Sequence, residues 1–107
     1  MSKNIKNNRE LIELDTLIFS SPIRLLVMVL LLKNKTVAIK DLIELTKTSP
    51  GNFDHHIKQL EEANYVEKLP IRRNERLVYA VRLTSSGKGI ILNQLGNLKK
   101  IISDYEL

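Results

Sequence analysis

Apolar residues recur along this chain at two different periods, and the change of period divides it into a helical part and a short β part. From Asn8 to Phe19, Leu11, Leu14, Leu17 and Ile18 return at helical spacing, with Arg9, Glu10, Glu13 and Asp15 between them. Ser20-Ser21-Pro22 then reads as a helix start, a serine cap followed by proline at the first helical position. The helix it opens, Pro22 to Lys33, is apolar nearly all round, as befits a central helix that can also face a second subunit. Asn34-Lys35-Thr36 is a polar turn, and Val37 supplies a very short strand. A third helix is predicted from Ile39 to Thr46, with Ile39, Leu42, Ile43 and Leu45 apolar. Ser49-Pro50 repeats the cap-plus-proline signal. The fourth helix that follows places Phe53, Ile57 and Leu60 at i, i+4 and i+7, one inward stripe. Asn64 closes it, because asparagine tolerates the left-handed conformation required just past a helix end.

The period then shortens to two. Tyr65 to Arg72 and Leu77 to Leu83 read as strands, the second alternating Leu77, Tyr79, Val81 and Leu83 with Val78, Ala80 and Arg82. Pro70 lacks a ladder donor, so the first of the pair should be an edge strand. Thr84-Ser85-Ser86-Gly87 caps a long last helix in which Ile91, Leu95, Leu98, Ile102 and Tyr105 step by four, three, four and three, a heptad seam. The fold class is therefore mainly α with a small β-hairpin, in the order α-α-β-α-α-β-β-α. Helix, tight turn, helix and basic hairpin is the order of a winged helix-turn-helix, which sets one helix end and one loop against the same duplex DNA.

With 107 residues, one domain spanning 1–107 is expected, with 1–8 polar and frayed. Cysteine is absent, which excludes disulfides and thiolate metal sites and fits a reducing, cytoplasmic setting. Met1-Ser2-Lys3-Asn4-Ile5-Lys6 has no apolar core, so no signal peptide is expected. The longest apolar run, Leu25 to Leu32, falls well short of the roughly 20 residues of a membrane span. Net charge is +5 and the pI about 9.6, a balance that favours a polyanionic partner. Much of the excess sits in one place: Lys68, Arg72, Arg73, Arg76 and Arg82 face a single anion, Glu75, between residues 68 and 82.

The start of the fourth helix offers free amide groups and the positive end of a helix dipole. Ser49, Gly51 and Lys58 are assigned to phosphates, and Asn52 and His55 to base edges or water-mediated readout. Arg72, Arg73 and Arg76 bracket the tight loop Asn74-Glu75 and suit phosphate oxygens or a narrow minor groove. The competing readings are a solvated helix face and a charged hairpin tip that protects an edge strand. His55 and His56 point about 100° apart on a helix, so they do not chelate one ion. His56 is expected to be partly buried and hydrogen-bonded, and His55 exposed. Neither metal nor cofactor is expected. Gly87-Lys88-Gly89 lacks phosphate-loop spacing and no serine sits in a nucleophile elbow, so no enzyme is expected.

Three stretches resemble the winged-helix transcription regulators of the MarR and ArsR type. Ser21-Pro22-Ile23-Arg24-Leu25-Leu26 resembles the proline-x-arginine opening of that family's second helix. Asn52 to Val66, running through Glu62-Ala63-Asn64-Tyr65-Val66, resembles its recognition helix, with asparagine in place of the usual glycine. Arg76 to Gly87 resembles its second wing strand and the leucine-threonine-x-x-glycine start of the last helix. Asp54 and His55 stand where the family often has serine and arginine; an aspartate there either caps the helix or accepts from a cytosine amino group. The resemblance implies a transcription regulator that binds double-stranded DNA at a pseudo-palindrome as a homodimer. The first helix (9–19) and the last (85–107) would form the interface through Leu11, Leu14, Ile18, Ile91, Leu95, Leu98 and Ile102. A rival is a winged helix that binds other proteins within a transcription-related complex.

Overall fold

The computed structural model describes residues 13–104. Its elements are α1 (Thr16–Phe19), α2 (Pro22–Lys33), β1 (Thr36–Ala38), α3 (Ile39–Thr46), α4 (Pro50–Glu62), β2 (Val66–Arg73), β3 (Arg76–Leu83) and α5 (Ser85–Ser103). This is the winged-helix order expected from the hydrophobic pattern. One helix is cut short. The element predicted over 8–19 begins, among the described residues, at Thr16, because the Asp15 carboxylate accepts from the Ile18 amide and caps a helix there. Leu14 precedes that cap and lies outside the helix, and Leu11 lies outside the described residues. Asp15, read as a polar residue within a helix, is instead its first boundary.

Hydroxyl caps start three of the other helices. Ser21 accepts from the Arg24 amide, Ser49 from the Asn52 amide and Thr84 from the Gly87 amide. In α2 and α4 proline stands in the first turn, where its missing N–H costs nothing. Lys47 (φ 54°) and Asn64 (φ 64°) turn the chain left-handed after α3 and α4. After α4 the Tyr65 amide reaches the Leu60 carbonyl (2.9 Å) and the Asn64 amide the Glu61 carbonyl (2.8 Å), which satisfies two of the last free carbonyls.

The three strands are antiparallel in the order β1-β3-β2, so Pro70 does lie on an edge strand, opposite Tyr79. Asn74 and Glu75 both have positive φ (54° and 64°), the two-residue turn whose twist matches that of the strands. The core joins Ile18, Val27, Met28, Leu42, Phe53, Ile57, Leu60, Val81 and Ile91. Burying each of these large side chains stabilises the fold by roughly 1.5–3 kcal/mol before entropy is counted. The inward stripe Phe53, Ile57 and Leu60 is thus buried as its spacing predicts.

Gly87 is required by close approach. A Cβ there would lie 1.9 Å from the Tyr65 carbonyl oxygen, which also accepts from the Thr84 amide at 3.0 Å. That contact presses the start of α5 against the corner between α4 and β2. Further along, the buried Gln94 accepts from the Asp15 amide (2.6 Å), and the Tyr65 hydroxyl donates to the Asp15 carboxylate (2.6 Å). The carboxylate stabilises the protonated phenol, so the Tyr65 pKa is pushed up from 10.0 to about 12, with burial adding to the shift.

Candidate nucleic-acid interface

The outer side of α4 is polar and open. Asn52, Asp54, His55 and Lys58 are all exposed, as are Ser49 and Gly51 at its start. The Ser49 hydroxyl is engaged as the helix cap (3.2 Å to the Asn52 amide), and the Asn52 side chain donates to the Thr48 hydroxyl (2.9 Å). Ser49 therefore takes the capping role left open for Asp54. Asp54 instead lies 3.7 Å from the Lys68 ammonium of β2, which also stands 3.8 Å from Glu61. The lysine offsets the negative charge that an aspartate brings to this face and ties the hairpin to the side of α4.

In the wing, cross-strand partners share a face of the sheet. Arg72 pairs across with Leu77 and Pro70 with Tyr79, on the face that also carries Lys68. Arg73 pairs with Arg76 on the opposite face. The Arg73 guanidinium grips the Asp41 carboxylate of α3 with both terminal nitrogens, at 2.9 and 3.2 Å. Arg82 bonds Glu67 at 2.7 Å. Of the five cations in the hairpin, Lys68, Arg73 and Arg82 are thus ion-paired. Arg72 and Arg76 have no ion pair among the described residues. Asn74 sits at the exposed tip. Leu77 and Tyr79 are 66% and 63% exposed, so the wing projects apolar as well as cationic groups.

His55 is exposed and His56 half-buried, as expected, with ring centroids 5.5 Å apart. Among the described residues no group of three His, Cys, Asp or Glu residues is placed to hold a metal ion. Nor is any helix there long and apolar enough to cross a membrane.

Arg24 is the residue whose role the sequence did not disclose. It is only 8% exposed, in a helix that is otherwise apolar up to its last residue, Lys33. Its Nε donates to the Leu17 carbonyl (2.6 Å) and Nη2 to the Ser20 hydroxyl (3.0 Å). Its Nη1 meets Gln59 Oε1 (2.6 Å) and His56 Nδ1 (2.7 Å) on α4. Gln59 and His56, three apart on one flank of α4, were the available signal: two polar residues beside an inward stripe call for a buried donor.

The residues assigned to a dimer interface separate into two groups. Ile18 and Ile91 are fully buried in this chain's own core, so they are corrected from interface to core. The heptad seam of α5 is not uniform: its first position packs inward because Gly87 brings the helix start against Tyr65. Leu95 and Leu98 are half-buried, Ile102 is exposed, and Tyr105 lies outside the described residues.

A helix-turn-helix whose second helix shows a polar outer face, joined to a basic two-stranded hairpin, defines a winged helix DNA-binding domain. The chain belongs to the winged helix DNA-binding domain family, whose pattern matches residues 23–102. It is similar to MJ0432 of Methanocaldococcus jannaschii, an uncharacterized protein, with 26% identity over 89 residues that cover 83% of this chain and 97% of that one. Among solved structures it resembles a transcriptional regulator homologue from Pyrococcus horikoshii OT3, with 24% identity, a TM-score of 0.75 and both chains covered in full. It also resembles the heme sensor protein PefR from Streptococcus agalactiae, solved in complex with heme. There the identity is 24% and the TM-score 0.68, covering 96% of this chain and 69% of that one. The regulator type read from the three sequence stretches agrees with these likenesses at the level of the fold.

Proposed function

We propose that this protein regulates transcription by binding double-stranded DNA sequence-specifically as a homodimer, in the cytoplasm, by occlusion or recruitment at a promoter and with no chemistry of its own. One observation carries the reading. α4 buries Phe53, Ile57 and Leu60 and leaves Asn52, His55 and Lys58 open, beside a hairpin whose Arg72 and Arg76 have no carboxylate partner among the described residues. Asn52 and His55 would meet base edges, with Asp54 accepting from a cytosine amino group. Ser49, Gly51 and Lys58 would meet phosphates. Arg72, Arg76 and Asn74 would hold the flanking backbone, and Arg73 would join them by exchanging Asp41 for a phosphate. The similarity to a structure described as a transcriptional regulator homologue supports the regulatory role.

In this reading residues 1–107 form one domain. The half-buried Leu14, Leu95 and Leu98 and the exposed Ile102 would line a two-fold interface. That interface sets two recognition helices about one turn of DNA apart on a pseudo-palindrome. Electrophoretic shift with random duplex at low salt should show binding, and sedimentation at micromolar concentration should show a dimer. No shift would remove the DNA reading, and a clean monomer would remove the two half-sites alone. The exposed Leu77 and Tyr79 favour a second reading, a wing that docks on another protein. Absence of any shift, with capture of a transcription-machinery subunit lost in Tyr79→Ala, would select it.

A further inference from the structure

Apolar packing of Phe53, Ile57 and Leu60 sets how deeply α4 sits and which face turns inward, but dispersion contacts have little directionality and hold the roll of the helix less sharply than hydrogen bonds do. Directional bonds refine that roll, and on the inner flank of α4 they converge on one group. We infer that Arg24 is the positioning residue for sequence discrimination: its guanidinium locks the roll of α4, and so the angle at which Asn52 and His55 present themselves. The inference rests on the DNA-binding reading above.

The geometry supports a lock. The planar guanidinium is a rigid fork, and here it links three elements. Leu17 and Ser20 hold it from α1 and the turn that follows, and its own stem descends from α2. His56 and Gln59 receive it on α4, at 2.7 and 2.6 Å. His56 lies one residue from His55 and one turn from Asn52, so a roll that breaks the Arg24 bonds swings both exposed side chains by the same angle. Arginine has no acceptor atom and does not deprotonate, so His56 must accept at Nδ1. The imidazole is then neutral, with its proton on Nε2. A protonated His56 would face Arg24 with a second cation and no lone pair. Burial, then the charges of Arg24 on α2 and of His55 on α4, lower the His56 pKa, in keeping with a neutral ring. Those two are the charged or titratable groups acting on it among the described residues.

The test compares Arg24→Lys and His56→Asn with the unmodified chain. Fluorescence anisotropy reads affinity for a duplex enriched by the unmodified protein from a random pool, and for the random pool itself. Measurements run from about pH 7.5 down in steps to about pH 4.5, because burial and the neighbouring charges hold the folded His56 pKa below histidine's ordinary value. Arg24→Lys should lower the enriched-to-random affinity ratio about tenfold or more, the scale of one lost charge-assisted hydrogen bond. Random-duplex affinity and the salt slope should stay the same, because Arg24 touches no phosphate. A folded Arg24→Lys protein with an unchanged ratio overturns the inference, and so does an equal fall for both duplexes.

His56→Asn keeps an acceptor where Nδ1 stood and removes the titration. It should keep the ratio at the higher pH and lose less of it in acid than the unmodified chain does. An acid loss as large as that of the unmodified chain overturns the inference, and this holds even if Arg24→Lys does not fold. Failure of the unmodified protein to enrich any sequence removes the DNA reading and the inference together. Discrimination that survives undiminished in a folded Arg24→Lys protein removes the inference alone.

Discussion

Two arginines anchor the two surfaces proposed to face DNA, and they do so in opposite environments. Arg24, almost fully buried, bonds four neutral acceptors at the junction of α1, α2 and α4. Arg73, at the exposed wing, bonds one carboxylate on α3. The first interaction is shielded at the guanidinium, so breaking it leaves half-buried acceptors on α1 and α4 without their donor. The second is open to solvent, salt and any competing anion, so its contribution to stability is small. The helix proposed to read bases is held rigidly. The wing proposed to hold the backbone is held by an ion pair that a phosphate can replace.

The largest effect should come from the junction's apolar floor. Phe53→Ala is expected to cost about 3–5 kcal/mol of unfolding free energy in urea titrations, because it opens a cavity under α4. A loss near 1 kcal/mol would mean that α4 is anchored elsewhere. Next is the polar lock itself. Arg24→Met should cost about 2–3 kcal/mol by calorimetry, since Gln59, His56 and the Leu17 carbonyl lose their donor. A melt as unchanged as that of Arg73→Met would erase the contrast.

Acid should weaken the junction and spare the wing. The folded His56 pKa lies below its unfolded value of 6.5, so the unfolded chain binds more protons between the two. Its contribution to stability is therefore complete above about pH 6.5 and lost as pH falls through the lower folded value. Melting curves should show this decline in the unmodified chain and a shallower one in His56→Asn. The smallest change in stability belongs to Asp41→Asn, which should leave the melting temperature where it is. It spares Arg73 the loss of its carboxylate on binding, so affinity for duplex should rise while the slope of log affinity against log salt stays the same. Arg73→Met should make that slope shallower by about 0.9, and an unchanged slope in that variant would show that Arg73 does not reach the DNA backbone.

Much of the fold was legible because its signals are local. Ser21-Pro22 and Ser49-Pro50 announce helix starts within three residues, Asn64 announces a left-handed turn at a single position, and Asn74-Glu75 announces a tight loop whose left-handed backbone the structure supplies. Pro70 gave away an edge strand because a missing N–H needs no knowledge of the rest of the molecule. The candidate recognition helix was legible for the same reason: its periodicity separates Phe53, Ile57 and Leu60 from Asn52, His55 and Lys58.

The sequence by itself therefore determined which segments are helix or strand, where they turn and, α1 excepted, where they start, and which face of α4 is polar. Tertiary structure alone decided that the Asp15 amide finds Gln94, that Arg24 finds His56 and Gln59, that Arg73 finds Asp41, and that Ile18 and Ile91 are core. Those outcomes join residues 32, 35 or 79 positions apart. Which partner a polar group finds across such a separation depends on how the elements pack and on what each burial does to its hydration, and neither quantity is written in the order of nearby residues.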